Sequence, residues 1–229
     1  MEMINVSIAV MAGTPTDTEM GVNLIKASSL SSQQIIPVSI SKNPREQTLF
    51  QTRSYDERHA AIKKIVNVLK KKNVSYLFVY CNSLSSAIDF ELLADTLNIP
   101  IVTPFMIYKD IAHHYQKVGV LTANAQGSAG IEKVMVHSNP KISVLTVANI
   151  SWVEAVEKKL EPPKIILRYG LLETIAFFEN NRTEAIIIGC THFPYFLADY
   201  QKYTELPCID AGEAMIETMI EYFKTTDKH

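Results

Sequence analysis

The stretch Ser75-Tyr76-Leu77-Phe78-Val79-Tyr80-Cys81-Asn82-Ser83 decides the fold, because its grammar returns at Glu184-Ala185-Ile186-Ile187-Ile188-Gly189-Cys190-Thr191-His192. Each is an apolar run ending in cysteine, followed by small polar residues and a helical pattern. Runs that are apolar at every position belong to strands buried on both faces, as in parallel sheets covered by helices. The two cysteines stand about half of the 229 residues apart. Two similar α/β halves facing each other across a cleft explain that spacing.

Outward from these stretches, β-branched and apolar runs alternate with helical periodicity. Strands are predicted at 5–11, 35–39, 75–80, 99–102, 117–121, 142–147 and 185–188, with a short one at 208–209. Helices are predicted at 21–28, 55–71, 86–97, 107–115, 127–136, 152–158, 163–179, 196–200 and 212–224. Such alternation gives α/β layers with a mainly parallel sheet. The seam falls near Pro100-Pro104, and the break at Leu206-Pro207 returns the last helix to the first half. The expected domains are therefore 1–98 plus 206–229, and 99–205.

Composition narrows the function classes. Hydrophobic residues make up 47% and charged residues 20%, enough for a sizeable core. With 22 Lys+Arg against 24 Asp+Glu, the net charge is −2, and nothing in the composition is basic enough to suggest a nucleic-acid partner. The run Lys70-Lys71-Lys72 closes an amphipathic helix, where the macrodipole favours cations. Met1-Glu2-Met3-Ile4 lacks a basic leader and a long apolar segment, and no run approaches a membrane span. The expectation is a cytoplasmic protein with no membrane partner. Three widely spaced cysteines without a C-x-x-C pair fit neither a disulfide framework nor a structural metal site.

In open α/β sheets, ligands bind beyond the carboxyl ends of the strands. Cys81 and Cys190 stand there, each before a helix whose free N–H groups favour thiolate and substrate carboxylate. Asn82, Ser83 and Thr191 add donors and acceptors beside the thiols. A lone cysteine at a strand end is ordinarily a small buried hydrophobe. Two in equivalent repeats are different, since a two-base reaction needs one group on each face of a carbon. His192 fits a proton shuttle for Cys190 and equally a structural or capping role. Asp17, in the loop Gly13-Thr14-Pro15-Thr16-Asp17-Thr18, fits a hydrogen bond to a thiol or to a substrate amine. An N-cap role for Asp17 or Thr18 fits as well. Gly13 and Thr14 can bring backbone close to a carboxylate. The loop through Thr122 and Asn124 follows another strand and lines the same cleft. Arg53 and Arg168 are weaker candidates for a distal carboxylate. His113, His114, Cys208 and Trp152 read as structural.

These residues resemble a known family. Gly189-Cys190-Thr191-His192-Phe193-Pro194 resembles the second catalytic motif of glutamate racemases, and Cys81-Asn82-Ser83-Leu84-Ser85 the first. Ile209-Asp210-Ala211-Gly212-Glu213-Ala214 is similar to the turn that opens the family's last helix. The resemblance, to the aspartate/glutamate racemase family, spans most of the chain. It implies two pseudo-symmetric, flavodoxin-like α/β domains of parallel sheets with the active site in the cleft between them. It also implies racemisation of a free acidic amino acid without pyridoxal phosphate or metal, and a homodimer. By the resemblance, Cys81 acts on the D isomer and Cys190 on the L isomer. Asp17 and His192 match groups that assist the thiols. Thr18, Asn82, Ser83 and Thr191 match substrate contacts.

The sequence departs from glutamate racemases in three loops. The loop 13–21 is longer than D-S-G-x-G-G. Leu49-Phe50-Gln51 stands near the place of the P-Y-G substrate loop, and Thr122-Ala123-Asn124-Ala125-Gln126 replaces G-T-x-x-T. Three alternatives stay open beside a glutamate or aspartate racemase. One is another two-cysteine isomerase of the hydantoin racemase or maleate isomerase type. The others are a Cys-His hydrolase built on Cys190 and His192, and an amino-acid-binding protein.

Overall fold

Strand β1 (Ser7–Ala12) is buried at every position, as a strand in the middle of a covered parallel sheet must be. The computed structural model describes residues 6–226, so Asn5 of the first predicted strand lies outside the described residues, as does Met1-Glu2-Met3-Ile4. After β1 the chain runs through α1 (Pro15–Lys26), β2 (Gln34–Ser39), α2 (Pro44–Gln51), α3 (Tyr55–Lys71), β3 (Tyr76–Val79), α4 (Asn82–Ala87), α5 (Phe90–Leu97) and β4 (Ile101–Val102). It continues through α6 (Pro104–Ile111), β5 (Lys117–Thr122), α7 (Ala125–Ser138), β6 (Ser143–Ala148), α8 (Ile150–Glu157), α9 (Pro162–Arg168) and α10 (Leu171–Asn180). It closes with β7 (Ala185–Ile188), α11 (Pro194–Tyr200), β8 (Cys208–Ile209) and α12 (Gly212–Thr226).

The chain divides into two compact units. One runs to Pro104 and resumes at Gly212, and the other is Phe105–Ala211. The first holds a parallel sheet in the order β2-β1-β3-β4, and the second a parallel sheet in the order β6-β5-β7-β8. The continuous apolar runs of β1, β3 and β7 take inner places. Partly exposed β2 and β6 take edges, and Pro37 is tolerated on edge strand β2 because it needs no ladder partner on its open side. Ile62, Val66 and Leu69 of α3 and Leu93 of α5 cover the first sheet. Trp152, Ile165, Phe178 and Phe196 build the core of the second.

The unit boundaries differ from the sequence expectation of 99 and 206. Ile101 and Val102 hydrogen-bond along β3, which puts β4 in the first sheet, and Cys208 and Ile209 pair with β7, which puts β8 in the second. Helix α6 runs Pro104–Ile111 rather than 107–115, and four other helices also differ. Helix α1 starts at Pro15 rather than 21, because Thr14 is an extended N-cap and Pro15 suits the first turn. The predicted helix 86–97 is two helices, since Ile88 is extended and Asp89 caps α5 by accepting from Leu92 N–H. The predicted helix 163–179 breaks at Gly170, whose φ of +76° suits glycine. Helix α2 is absent from the sequence reading, although Asn43-Pro44-Arg45-Glu46 carries cap, first-turn proline and acid: Asn43 Oδ1 accepts from Glu46 N–H at 3.0 Å.

Two buried groups in the second unit make stability pH-dependent. Burial raises the Tyr200 hydroxyl above its ordinary range, despite its hydrogen bond with Thr174 at 2.8 Å, and burial pushes the Cys208 thiol up to about 11. Unfolded, both ionise near their ordinary values, so above about pH 9 the unfolded chain holds fewer protons than the folded one. Their contribution is complete below that pH and is lost as pH rises through the folded values. The urea midpoint is expected to fall as pH rises from about 9 to 11, and to fall less steeply in Tyr200→Phe. Parallel slopes in the two proteins would refute this account.

Candidate active site

In each sheet the chain leaves the first strand for a neighbour on one side and returns on the other. The carboxyl ends of β1 and β3, and of β5 and β7, are therefore switch points where α/β folds place ligands. Tyr80 N–H still donates to Met11 O at 2.9 Å, and Cys81 then leaves the sheet as the extended N-cap of α4. Its thiol is buried, 3.4 Å from Ser83 Oγ. A Cβ added at Gly13 would stand 3.3 Å from Cys81 Sγ and 3.1 Å from Gln47 Cδ, so the loop after β1 borders this thiol. Asn82 is buried beside it, with Oδ1 lacking a hydrogen-bond partner.

Asp17 organises that loop. Its Oδ2 accepts from Gly13 N–H at 3.1 Å, and its Oδ1 accepts from Thr14 N–H at 2.6 Å and from the Thr14 hydroxyl at 3.0 Å. It stands at the third position of α1 and reaches back to the cap, the acidic half of a capping box. The Thr18 hydroxyl donates to Thr14 O at 2.6 Å and lies 2.9 Å from Ser39 Oγ. Asp17, Thr14 and Thr18 thus hold the shape of the loop on which Gly13 approaches Cys81.

The second unit repeats the plan with different residues. Gly189 N–H donates to Leu121 O at 2.8 Å, and Cys190 follows, buried. A Cβ at Gly189 would lie 2.7 Å from Ile131 Cδ1 and 2.8 Å from Leu121 O, so only glycine lets β7 close on β5 here. Phe193 N–H donates to Cys190 O at 3.0 Å, and the buried Phe193 ring packs on Trp152 and Phe196. That anchor fixes the turn carrying Thr191 and His192. His192 Nδ1 stands 3.8 Å from Cys190 Sγ, while Nε2 lies 2.9 Å from Glu157 Oε1. The carboxylate orients the ring so that Nδ1 faces the thiol.

Thr122 and Asn124 lie on the loop after β5. Thr122 is fully buried with Oγ1 2.6 Å from Ser128 Oγ, and Asn124 caps α7 by accepting from Gly127 N–H at 2.9 Å. Thr191 is buried beside Cys190. Arg53 is exposed over the Phe50 ring, and Arg168 is exposed at the end of α9. The third thiol, Cys208, sits 3.7 Å from Leu206 O and stays protonated at neutral pH. Among the described residues, no three His, Cys, Asp or Glu side chains converge as a metal site, and no helix is long and apolar enough to cross a membrane.

The sequence pattern of the Asp/Glu/Hydantoin racemase family matches residues 11–219. The chain belongs to that family. Within the Asp/Glu/Hydantoin racemases, it is similar to a glutamate racemase of Pediococcus pentosaceus, 27% identical over 165 residues, or 69% of this chain and 62% of that one. A glutamate racemase of Limosilactobacillus reuteri is 26% identical over 180 residues, 73% of this chain and 67% of the other. The matched part thus spans about three fifths to two thirds of these relatives. The fold is that of the glutamate racemase of Francisella tularensis, solved with D-glutamate (TM-score 0.79, 18% identity, 97% of this chain and 82% of that one). It is also that of a putative Asp/Glu racemase from Yersinia pestis (TM-score 0.67, 16% identity, 95% and 99%).

Two residues of this family member escaped the sequence reading. Glu157 ends α8, 35 residues before its partner His192, and no local spacing links them. Gln47 lies on helix α2, where the Asn43-Pro44 cap was the available signal.

Proposed function

We propose that the protein interconverts the L and D forms of a free acidic amino acid, glutamate or aspartate, with Cys81 and Cys190 as its two acid–base groups and no pyridoxal phosphate. One observation carries the reading: each unit places a buried cysteine two residues beyond the strand that holds the same place in its sheet, β3 or β7. A hydrolase needs one such thiol, whereas two-base inversion at a carbon uses one group on each face. Membership of a racemase family and likeness to glutamate racemases support the same choice.

The step is a balanced proton exchange. A thiolate takes the α-proton, and the electron pair left behind delocalises into the carboxylate. A thiol on the opposite face then gives its proton to the α-carbon. One cysteine ends as thiol, the other as thiolate, and the configuration is inverted. The difficulty is the weak acidity of the α-carbon, so hydrogen-bond donors placed at the carboxylate must stabilise the developing charge. His192, held by Glu157, faces the Cys190 thiol, and Asp17 keeps the Gly13 loop against Cys81.

The test incubates the purified chain, with nothing added, with L-glutamate, L-aspartate and a 5-substituted L-hydantoin separately, and follows enantiomer composition by chiral chromatography. One acidic amino acid is expected to drift to an equal mixture while the hydantoin stays L. If neither acid changes, the proposal is wrong.

A further inference from the structure

We infer that Gln47 is a substrate-binding residue of the first unit, taking the carboxylate of an α-amino acid at the Cys81 thiol; the inference rests on the reading above and deepens it. Gln47 is buried on α2, the helix that follows β2. Ser41 N–H donates to Gly13 O at 2.9 Å, which ties the entry to α2 to the loop after β1. The Ser41 hydroxyl donates to Gln47 Oε1 at 3.0 Å, fixing the amide and leaving its Nε2 as the free end. That Nε2 is buried and has no hydrogen-bond partner. The amide carbon and Cys81 Sγ flank the same spot, 3.1 Å and 3.3 Å from where a Gly13 side chain would begin.

A second orphan stands nearby and has the opposite character. Helix α2 packs on α4, whose first residue is Asn82, and the buried Asn82 Oδ1 also lacks a partner. A buried donor or acceptor left unmatched is destabilising, so two beside one reactive thiol mark a place completed by a ligand. The pair is a donor and an acceptor. A zwitterionic amino acid matches it, with a carboxylate accepting from Gln47 Nε2 and an ammonium donating to Asn82 Oδ1. A donor on the carboxylate also supports the charge that develops there when the α-proton leaves. The absence of a side chain at Gly13 has its reason here, since any side chain would occupy the space between amide and thiol.

The experiment measures binding of L-glutamate, L-aspartate and glutarate by calorimetry to the full chain, to Gln47→Glu, Gln47→Ala and Asn82→Ala, with racemisation assayed in parallel. Gln47→Glu turns the donor into a carboxylate and is expected to weaken the bound amino acid by about 10- to 100-fold, with Gln47→Ala weaker by about tenfold. Glutarate, without an ammonium, is expected to bind the native chain less tightly than L-glutamate, and Asn82→Ala to erase that difference. Melting temperatures within a few degrees of the native chain certify the fold, and Gln47→Ala supplies the reading if Gln47→Glu melts early. Native-like affinity in both Gln47 variants overturns the assignment, as does a native chain that binds neither amino acid. Weakened binding in a chain that does not racemise would uphold Gln47 and refute the reaction, whereas racemisation indifferent to Gln47 would do the reverse.

Discussion

Cys81→Ala and Cys190→Ala are each expected to lose racemisation in both directions, by at least about 10³-fold. Either change leaves one face of the α-carbon without a proton donor. Because the reverse path runs through the same two proton transfers in the opposite order, a loss in one direction is a loss in the other. The fold is expected to survive. Both thiols are buried but sit at strand ends, and Cys81 makes no side-chain cap hydrogen bond to α4. A near-UV circular dichroism spectrum like that of the native chain is the control. Cys208→Ala is the contrast: its raised thiol is protonated at neutral pH, and activity is expected within about twofold of native. Full racemisation by Cys81→Ala would end the two-thiol account and favour a one-cysteine reaction at Cys190 with His192.

The second large effect concerns the pair behind Cys190. Glu157→Gln removes the negative charge that pairs with His192 Nε2, and His192→Ala removes the ring facing the thiol. Losses in kcat/KM of about 10- to 100-fold are expected for each, in line with what partners of functional imidazoles contribute. The equilibrium constant between enantiomers is one, so kcat/KM must fall equally in both directions. Rate alone therefore does not locate the damage. The isotope effect from α-deuterated substrate does. Weakening Cys190 makes its own proton transfer more rate-limiting, so the effect rises for the isomer that Cys190 deprotonates and not for the other. A purely structural role for Glu157 would lower activity without that asymmetry.

The fold was legible in the sequence because burial on both faces leaves an unmistakable run. Tyr76–Val79 and Ala185–Ile188 are apolar throughout and take inner strand positions, and the cysteines after them mark equivalent places. Boundaries were harder. Gly13-Thr14-Pro15-Thr16-Asp17 has the composition of a turn, yet Pro15 at the first helical position and Asp17 at the third make it a helix start. The break at Ile88-Asp89 depends on a cap, and the one at Gly170 on a left-handed backbone. Parts of the site were hidden for a different reason. Glu157 is placed by packing between segments far apart in sequence, and Gln47 is placed by a hydrogen bond to Ser41. Neither contact follows from periodicity. Asp17 was visible as a candidate, but its carboxylate oxygens go to Gly13 and Thr14, which makes it the organiser of the Cys81 loop.

The most direct test of the two-base claim is the position of deuterium at early times in D₂O. The purified chain is given the L isomer of the acid it racemises, and product and remaining substrate are separated within the first few per cent of reaction. Two thiols on opposite faces predict D product carrying solvent deuterium at the α-carbon, and recovered L substrate still carrying protium. A single base that returns its own proton to either face would put protium in the D product, or deuterium in both isomers from the start. Either result would contradict the assignment of Cys81 and Cys190.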